Sequence, residues 1–306
     1  MNIEKIISEA NIHAVMHDPG AARLVIDLNK VMDKNAVPGL EVFPEEHSEG
    51  VNVKIILRKD TIVEKPVHLC FGVSHQTAVQ KINMDVTIET GAKIDIIAHC
   101  IFPDSKDVQH IMDAVIRLGE GARYSYFEKH IHNPMGGIQV YPKARIFVGK
   151  SARFKTDFEL IRGRVGIIDI DYEIECEDNS SLEMTAKVSG KADDVIKIRE
   201  TGLLKGRSSR GVLNSRVAVR DFAVAHIYNK LTATAPYARG HVDCKEIIQD
   251  NASASAIPIV EVKHPKAHIT HEAAIGSVDN KQLETLMARG LTEDQAVELI
   301  IDGLLA

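Results

Sequence analysis

The 306-residue sequence predicts a mainly β fold, a parallel β-helix (solenoid) with helical segments at its N- and C-terminal ends. Three observations predict it. Short alternating β-type runs fill the middle of the chain, a small-residue turn recurs along it at a nearly constant interval, and no long helical pattern intervenes between about residues 50 and 258.

The recurring turn is the strongest of these signals. Thr90-Gly91-Ala92, Glu120-Gly121-Ala122 and Lys150-Ser151-Ala152 follow one another at equal intervals, Asn179-Ser180-Ser181 continues the series one position early, and Asn251-Ala252 resembles another instance. A propeller blade needs about 40 residues, which is longer than this interval, whereas a β-helix coil needs only two or three short strands and their turns. An antiparallel sandwich is the alternative that the pattern leaves open.

We expect three segments: an N-terminal helical segment at 1–48, a β-helix core at 49–275 and a C-terminal helical pair at 276–306. In the first segment the patterns at 3–10 and 21–32 predict helices, separated by a loop at 17–20. An open solenoid end needs a cap, so the helical ends are predicted to act as caps.

The C-terminal helices have clear start and stop signals. Asp279 precedes the first of them, Gly290 follows it, and Thr292 with Gln295 forms a capping box at the start of the second. The second helix has a broad apolar stripe, which leaves a partner-binding surface as the alternative to a simple cap.

Composition excludes several functional classes. The formal net charge is -6 and no dense basic run occurs, so we expect no nucleic-acid partner. No apolar run approaches the roughly 18 residues of a membrane span, and we expect a cytoplasmic protein. A β-helix enzyme acting on carbohydrate is disfavoured, because the chain has no Trp and 5% aromatic residues.

The four cysteines are far apart in sequence and form no Cys-x-x-Cys motif. This spacing argues against a disulfide framework and against a four-cysteine zinc site. We expect Cys70, Cys100 and Cys176 to be buried small hydrophobic residues.

Cys244 differs from the other three cysteines because residues of metal-binding type lie about one sequence repeat after it. Glu272 lies about one repeat after Cys244, His271 lies about one repeat after His241, and Asn214 lies about one repeat before Cys244. If the period holds, these residues stack on adjacent coils within reach of one metal. A structural cysteine and ordinary polar histidines are the alternative. One chain offers few ligands, and a two-fold axis would double the set.

The C-terminal region resembles the signature of the SufB/SufD family of iron–sulfur cluster assembly proteins. The matching features are His-Glu-Ala at 271–273, an acidic residue followed by Gln-Leu at 279–283, Arg-Gly-Leu at 289–291, and Ala296 in the second helix. The resemblance is clear in the C-terminal part and follows the β pattern in the middle. It implies a right-handed parallel β-helix with helical ends.

The resemblance also implies a function. SufB-type scaffolds have a cysteine about one coil before the His-Glu pair, where SufD has a histidine, so Cys244 points to a compact, archaeal-type SufB-like scaffold. Cys244, Glu272 and His271 are the implied cluster ligands, while His241 and Asn214 are secondary candidates from the spacing alone. The cargo would be a transient [4Fe-4S] or [2Fe-2S] cluster, which we expect to be lost in aerobic purification.

The resemblance further implies the partners. These are a second copy, joined through the C-terminal part of the β-helix, a SufC-like ABC ATPase on the C-terminal helices, and apo iron–sulfur acceptor proteins. The chain has no Gly-x-x-x-x-Gly-Lys-Ser/Thr loop, so ATP hydrolysis is assigned to the separate subunit and no catalytic residue is predicted. A SufD-like structural partner that holds no cluster is the alternative.

Overall fold

The chain winds as a solenoid in which successive strands alternate between two sheets. The computed structural model describes residues 3–306, with nineteen β-strands and four α-helices in that range; residues 1 and 2 of the predicted N-terminal segment lie outside it. The neighbouring strands of the coils pair in parallel. The predicted parallel β-helix with helical ends is therefore confirmed, and the antiparallel sandwich is excluded.

Each coil contributes one strand to each sheet. Sheet A has ten strands, in the spatial order β19-β17-β15-β13-β11-β9-β7-β5-β1-β2: β1 Arg23–Asp27, β2 Lys30–Asn35, β5 Val67–Gly72, β7 Lys93–Phe102, β9 Arg123–His132, β11 Arg153–Leu160, β13 Ser181–Gly190, β15 Arg210–Val219, β17 Arg239–Ile248 and β19 His268–Gly276.

Sheet B has nine strands, in the order β18-β16-β14-β12-β10-β8-β6-β4-β3: β3 Leu40–His47, β4 Gly50–Leu57, β6 Thr77–Ile88, β8 Asp107–Leu118, β10 Ile138–Val148, β12 Ile167–Cys176, β14 Val195–Leu204, β16 Val224–Ala233 and β18 Ser253–Val262. The antiparallel pairs β1–β2 and β3–β4 lie at the N-terminal end of the two sheets.

The predicted repeat marks one column of turns. Gly91, Gly121, Ser151 and Asn179 occupy the same point of four successive coils, where a sheet B strand passes into sheet A, and each has a positive φ between 57° and 73°. The fifth predicted instance is wrong. Asn251 belongs to the turn from β17 to β18, on the opposite edge of the coil, because it lies two and a half coils after Asn179.

Alternation along each strand builds the core. In β12 the side chains of Ile168, Ile170, Tyr172, Ile174 and Cys176 point inward and are buried, while the residues between them face out. Each such aliphatic side chain contributes roughly 1.5–3 kcal/mol through burial. Stacking of the coils joins these rows into one continuous core.

The helix predicted at 21–32 is wrong, because β1 and β2 form a hairpin there. Leu24 and Ile26 face the solenoid interior, and Val25 faces out beneath α1 (Ile3–Ala10), where it packs with Ile6 and Ile7. A strand buried on both faces has no alternation of apolar and polar residues, so its apolar run imitates a helical one.

The two C-terminal helices follow their sequence signals, whereas α2 lies where no helix was predicted. α2 spans His13–Met16, α3 Asn280–Met287 and α4 Glu293–Leu305. Asp279 caps α3, and Thr292 and Gln295 form the predicted capping box of α4. None of these helices, nor α1, is both long and apolar enough to span a bilayer. The division at residues 48 and 275 stays a prediction.

Candidate functional site

The register of the last two sheet A strands decides where the predicted ligands lie. β17 pairs with β15 on one side and with β19 on the other, so that Cys244 lies opposite Ala273, and Glu272 lies opposite Asp243. Cys244 and Glu272 therefore lie on adjacent coils, as expected, but one position out of register. Because side chains alternate along a strand, this single step puts the thiol and the carboxylate on opposite faces of sheet A.

The same register separates the other predicted pairs. His241 lies opposite Thr270, with 2.7 Å between His241 Nδ1 and Thr270 Oγ1, and His271 lies opposite Val242. Asn214 lies opposite Asp243 and donates to Thr185 Oγ1 at 3.3 Å. The members of each pair thus lie on adjacent coils, but none is directly opposite its counterpart.

Cys244 points into the solenoid and has no exposed surface. The Nδ2 group of Asn229 donates toward its Sγ at 3.9 Å. Burial raises the pKa of the Cys244 thiol to about 11, and a hydrogen bond with Ser215 opposes this shift. The thiol is therefore neutral at pH 7 in this conformation, and a metal would have to displace its proton.

Buried polar atoms without partners surround this thiol. Among the described residues, Asn229 Oδ1, Glu246 Oε2 and Glu200 Oε2 are buried and accept no hydrogen bond. The Glu246 Oε1 atom accepts from Ser215 at 3.2 Å. Protein interiors rarely leave buried polar atoms without hydrogen-bond partners. These unpaired acceptors are therefore consistent with a region that binds a ligand or changes conformation.

Glu272 and His271 lie on the outermost strand of sheet A. The side chain of Glu272 is 59% exposed, and its Oε1 atom lies 3.7 Å from Lys245 Nζ. His271 is on the same side of the sheet as Cys244 by alternation, yet it is exposed because β19 lacks a following strand in the described sheet. One chain alone therefore presents a buried thiol and, on the neighbouring strand, an exposed carboxylate and imidazole.

The end of the solenoid is open and apolar. β18 and β19 are the terminal strands of sheets B and A. Ile257, Val262 and Ile275 on these two strands are 43–52% exposed. An unpaired strand edge with exposed apolar side chains is a template for pairing with another chain.

The C-terminal helices pack back on the solenoid and leave a groove. Ile301 and Leu305 of α4 are buried against Ala218. Between α3 and α4 an apolar groove is lined by Leu286 and Leu299 together with Ile300 and Leu304. The broad apolar stripe of α4 therefore serves two surfaces, one against β15 and one toward the groove.

Sequence reasoning missed a second cluster of metal-binding residue types. Cys100 on β7 is buried, as predicted, but its neighbours are Glu128 and His130 on β9 and His110 on β8. The register of β7 on β9 pairs Cys100 directly with His130. Applying the sequence period to Cys100 as well as to Cys244 would have found this cluster.

Comparison with known proteins agrees with the fold and the C-terminal features. Residues 71–304 match a family model described as SUF system FeS cluster assembly, SufBD core domain. An iron–sulfur cluster assembly SufBD family protein of Methanocaldococcus jannaschii is 36% identical over 291 residues, which cover 95% of this chain and 92% of the relative. A Pyrococcus horikoshii protein with the same family description is 36% identical over 284 residues, covering 93% and 86%.

A bacterial relative matches over a shorter stretch. The iron–sulfur cluster assembly protein SufB of Bacillus subtilis is 38% identical over 69 residues, which cover 22% of this chain and 15% of the relative.

Proposed function

Because this chain belongs to the SufBD family of iron–sulfur cluster assembly proteins, we propose that it is a SufB-type scaffold that assembles a cluster and passes it to apo acceptor proteins. The observation that carries this proposal is Cys244. It is a fully buried thiol among unpartnered polar atoms, one strand away from an exposed glutamate and histidine. The cluster is the cargo of this protein, and the scaffold works in the cytoplasm.

The ligand set draws on two copies of the chain. Cys244, Glu272 and His271 are the proposed ligands, with His241 and Asn214 as secondary candidates. Cys244 and Glu272 face opposite sides of sheet A, so they do not converge on one metal within a single chain. Pairing of two copies at β18 and β19 would bring two such sets to a two-fold axis, and a shift of β19 would open the way to the thiol.

ATP hydrolysis by a partner subunit would drive this shift of β19. A SufC-like ABC ATPase would dock in the groove between α3 and α4, whose apolar lining gives it an anchor. α4 packs on β15, and β15 pairs with β17, which carries Cys244. Force applied to the helices therefore reaches the cysteine strand through one neighbouring strand.

Anaerobic reconstitution tests the ligand assignment. The protein is incubated with ferrous iron and sulfide, and bound iron, bound sulfide and the visible absorption of the cluster are measured. We expect Cys244→Ala to lose most of the cluster, because a [4Fe-4S] or [2Fe-2S] site depends on its thiolates. Cys176→Ala, at another buried thiol, is the matched control and should retain it.

A Cys244→Ala variant that is folded and holds as much cluster as the wild type would contradict the assignment. Circular dichroism and thermal unfolding of both variants separate ligand loss from loss of fold. Glu272→Ala, at an exposed position, is the second variant, and we expect a weaker cluster in it.

A SufD-like structural partner is the second candidate function. The opposite orientation of Cys244 and Glu272 in one chain favours it, because a chain that holds no cluster has no need to bring them together. Absence of cluster from the reconstituted homodimer, with assembly only beside a different subunit, would favour this function over the scaffold.

A further inference from the structure

A second group of potential ligands lies deep inside the solenoid, on coils near its N-terminal half. Cys100 Sγ lies 3.7 Å from Glu128 Oε1 and 3.8 Å from His110 Nε2, and Glu128 Oε1 lies 2.8 Å from His130 Nε2. The donor atoms of Cys100, Glu128 and His130 all lie within 4.8 Å of one another. None of the four side chains is more than 2% exposed.

Hydrogen bonds outside the cluster fix the tautomer of His110. The amide Nε2 of Gln80 donates to the carbonyl oxygens of Leu28 and Gly72, at 2.8 and 3.0 Å. Its Oε1 must then accept from His110 Nδ1, which lies 2.7 Å away. With the proton on Nδ1, neutral His110 directs the lone pair of Nε2 toward Cys100.

A second chain of hydrogen bonds fixes His130. The backbone oxygen of Arg164 can only accept, so His132 Nδ1 donates to it, at 2.8 Å. His132 Nε2 is left as an acceptor and receives the Nδ1 proton of His130 at 3.2 Å. His130 Nε2 therefore also has a free lone pair, and this lone pair faces Glu128.

Two acceptors, His130 Nε2 and Glu128 Oε1, thus face each other at hydrogen-bonding distance in a buried site. A neutral imidazole lone pair and a carboxylate oxygen repel unless a proton or a metal ion lies between them. In metal sites the distal N–H of a ligating histidine usually donates to a neighbouring acceptor, and both imidazoles have such an acceptor here, Gln80 Oε1 for His110 and His132 Nε2 for His130.

We propose that Cys100, Glu128, His130 and His110 bind one divalent transition-metal ion, Fe²⁺ or Zn²⁺, inside the solenoid. A thiolate, a carboxylate and two neutral imidazoles form a borderline donor set that suits these ions in tetrahedral geometry. At metal–ligand distances of about 2.0–2.3 Å, neighbouring donor atoms of a tetrahedron lie roughly 3.3–3.7 Å apart. Two contacts of Cys100 are already close to that separation. The Glu128–His130 contact must open, and His110, which is not among the donor atoms that lie within 4.8 Å of one another, must move closer to the other ligands.

Charge balance supports the same ion. The thiolate and the carboxylate together carry two negative charges, which a divalent cation neutralises, so the loaded site is electrically neutral in an apolar interior. Binding releases two protons to solvent, one from the thiol and one from the carboxyl group, and changes no oxidation state.

The proposed ion is separate from the cluster site. Cys100 on β7 and Cys244 on β17 are five strands apart in sheet A, which corresponds to roughly 24 Å at about 4.8 Å per strand. The inference therefore does not depend on the proposed scaffold function.

Cobalt substitution tests the proposal in a Cys244→Ala background, which removes the cluster site. The protein is produced in medium supplemented with Co²⁺, so that the metal enters during folding, and is purified without chelator. We expect about one cobalt ion per chain, with a sulfur-to-cobalt charge-transfer band and the strong visible bands of tetrahedral Co²⁺.

Two further variants in the same background locate the ion. Cys100→Ser, which preserves the size of the side chain, should abolish the charge-transfer band, and His130→Ala should lower the cobalt content at least tenfold. Cys176→Ser, at a buried thiol outside the cluster, should leave both unchanged. Thermal unfolding with and without cobalt gives a second readout, and the ion should raise the melting temperature only where Cys100 and His130 are intact.

A folded parent that contains no cobalt would overturn the proposal. So would a charge-transfer band that survives Cys100→Ser, or a cobalt content that His130→Ala leaves unchanged. Since the background lacks Cys244, none of these results bears on the cluster scaffold, whose own failure would appear in the reconstitution experiment.

Discussion

Glu200 on β14 is a buried acid in the solenoid interior. Its Oε2 atom has no hydrogen-bond partner, and burial raises its pKa from 4.5 to about 8. Burial likewise raises the pKa of Glu246 and of Glu128 to about 7. At these positions the folded state holds protons that the unfolded chain releases.

Glu200 therefore makes stability depend on pH. Below pH 4.5 both states are protonated and its burial is least costly. Between about pH 4.5 and 8 only the folded state keeps the proton, so the free energy of unfolding falls as pH rises, by at most about 1.4 kcal/mol per pH unit. We expect Glu200→Gln to flatten the decline of the urea midpoint between pH 5 and 8.

Glu183→Gln, at an exposed position on β13, is the control and should leave that decline unchanged. The decline will not vanish in Glu200→Gln, because Glu128 and Glu246 still contribute. Equal slopes for Glu200→Gln and the wild type would show that Glu200 does not hold a proton at neutral pH.

The candidate site could be predicted from the sequence only in part. Residue types and an approximate period were enough to select Cys244, Glu272 and His271 as candidate ligands, and their role stays a prediction. The face of the sheet on which each lies depends on the register to a single position, and a sequence period that itself varies by one position cannot decide this. Cys100 was assigned to the core because an apolar run hides its polar neighbours on the next coil.

At the scale of the element, two glycines allow the cost of a left-handed backbone conformation to be distinguished from the cost of a steric clash. Gly121 and Gly137 both have positive φ, at 69° and 79°. A Cβ at Gly121 would meet nothing within 4 Å, whereas one at Gly137 would lie 1.9 Å from the backbone oxygen of Lys106.

We expect Gly121→Ala to cost roughly 1–2 kcal/mol of unfolding free energy, from the left-handed conformation alone. Gly137→Ala should cost at least about 2 kcal/mol more, because a backbone of the adjacent coil must move. Urea unfolding of the two variants measures the difference. Equal losses of unfolding free energy in the two variants would mean that the backbone near Lys106 moves away from the new methyl group without cost.

The groove between α3 and α4 gives a prediction about the proposed ATPase partner. Leu299 lines it and is 50% exposed, so Leu299→Asp should weaken binding of a SufC-like subunit at least tenfold, by removing an apolar anchor, and leave the fold intact. Phe222→Asp, at an exposed turn residue outside the groove, should bind normally. Titration calorimetry compares them, and unchanged affinity in Leu299→Asp would exclude the groove.

Helix caps and turns could be predicted where neighbouring residues in the sequence determine them. The caps at Asp279 and Thr292 and the turns at Gly91 and Gly121 depend on residues adjacent in sequence, and all four were predicted. The hairpin of β1 and β2 was not, because its strand character comes from pairing with β5, which lies much further along the chain.

For the whole molecule, the open end at β18 and β19 predicts self-association. Ile275 is 43% exposed on the outermost strand of sheet A. We expect Ile275→Lys to shift a dimer toward monomer and to raise its dissociation constant at least tenfold, since a desolvated charge would replace an apolar contact.

Sedimentation at several protein concentrations measures this shift. Val79→Lys, at an exposed position on β6 away from this end, is the matched control and should sediment like the wild type. A dimer that survives Ile275→Lys unchanged would place the interface elsewhere.

The two ends of the solenoid are not equivalent, and this limits how far association can go. The N-terminal edge strands β2 and β3 belong to antiparallel hairpins, and β3 presents a proline, Pro44, followed by Glu45 and Glu46, which are features that discourage further strand addition. Head-to-tail joining would polymerise the chain into a filament. Because one end is open to strand pairing and the other is blocked, we expect association of this chain to stop at two copies and not to extend into a fibril.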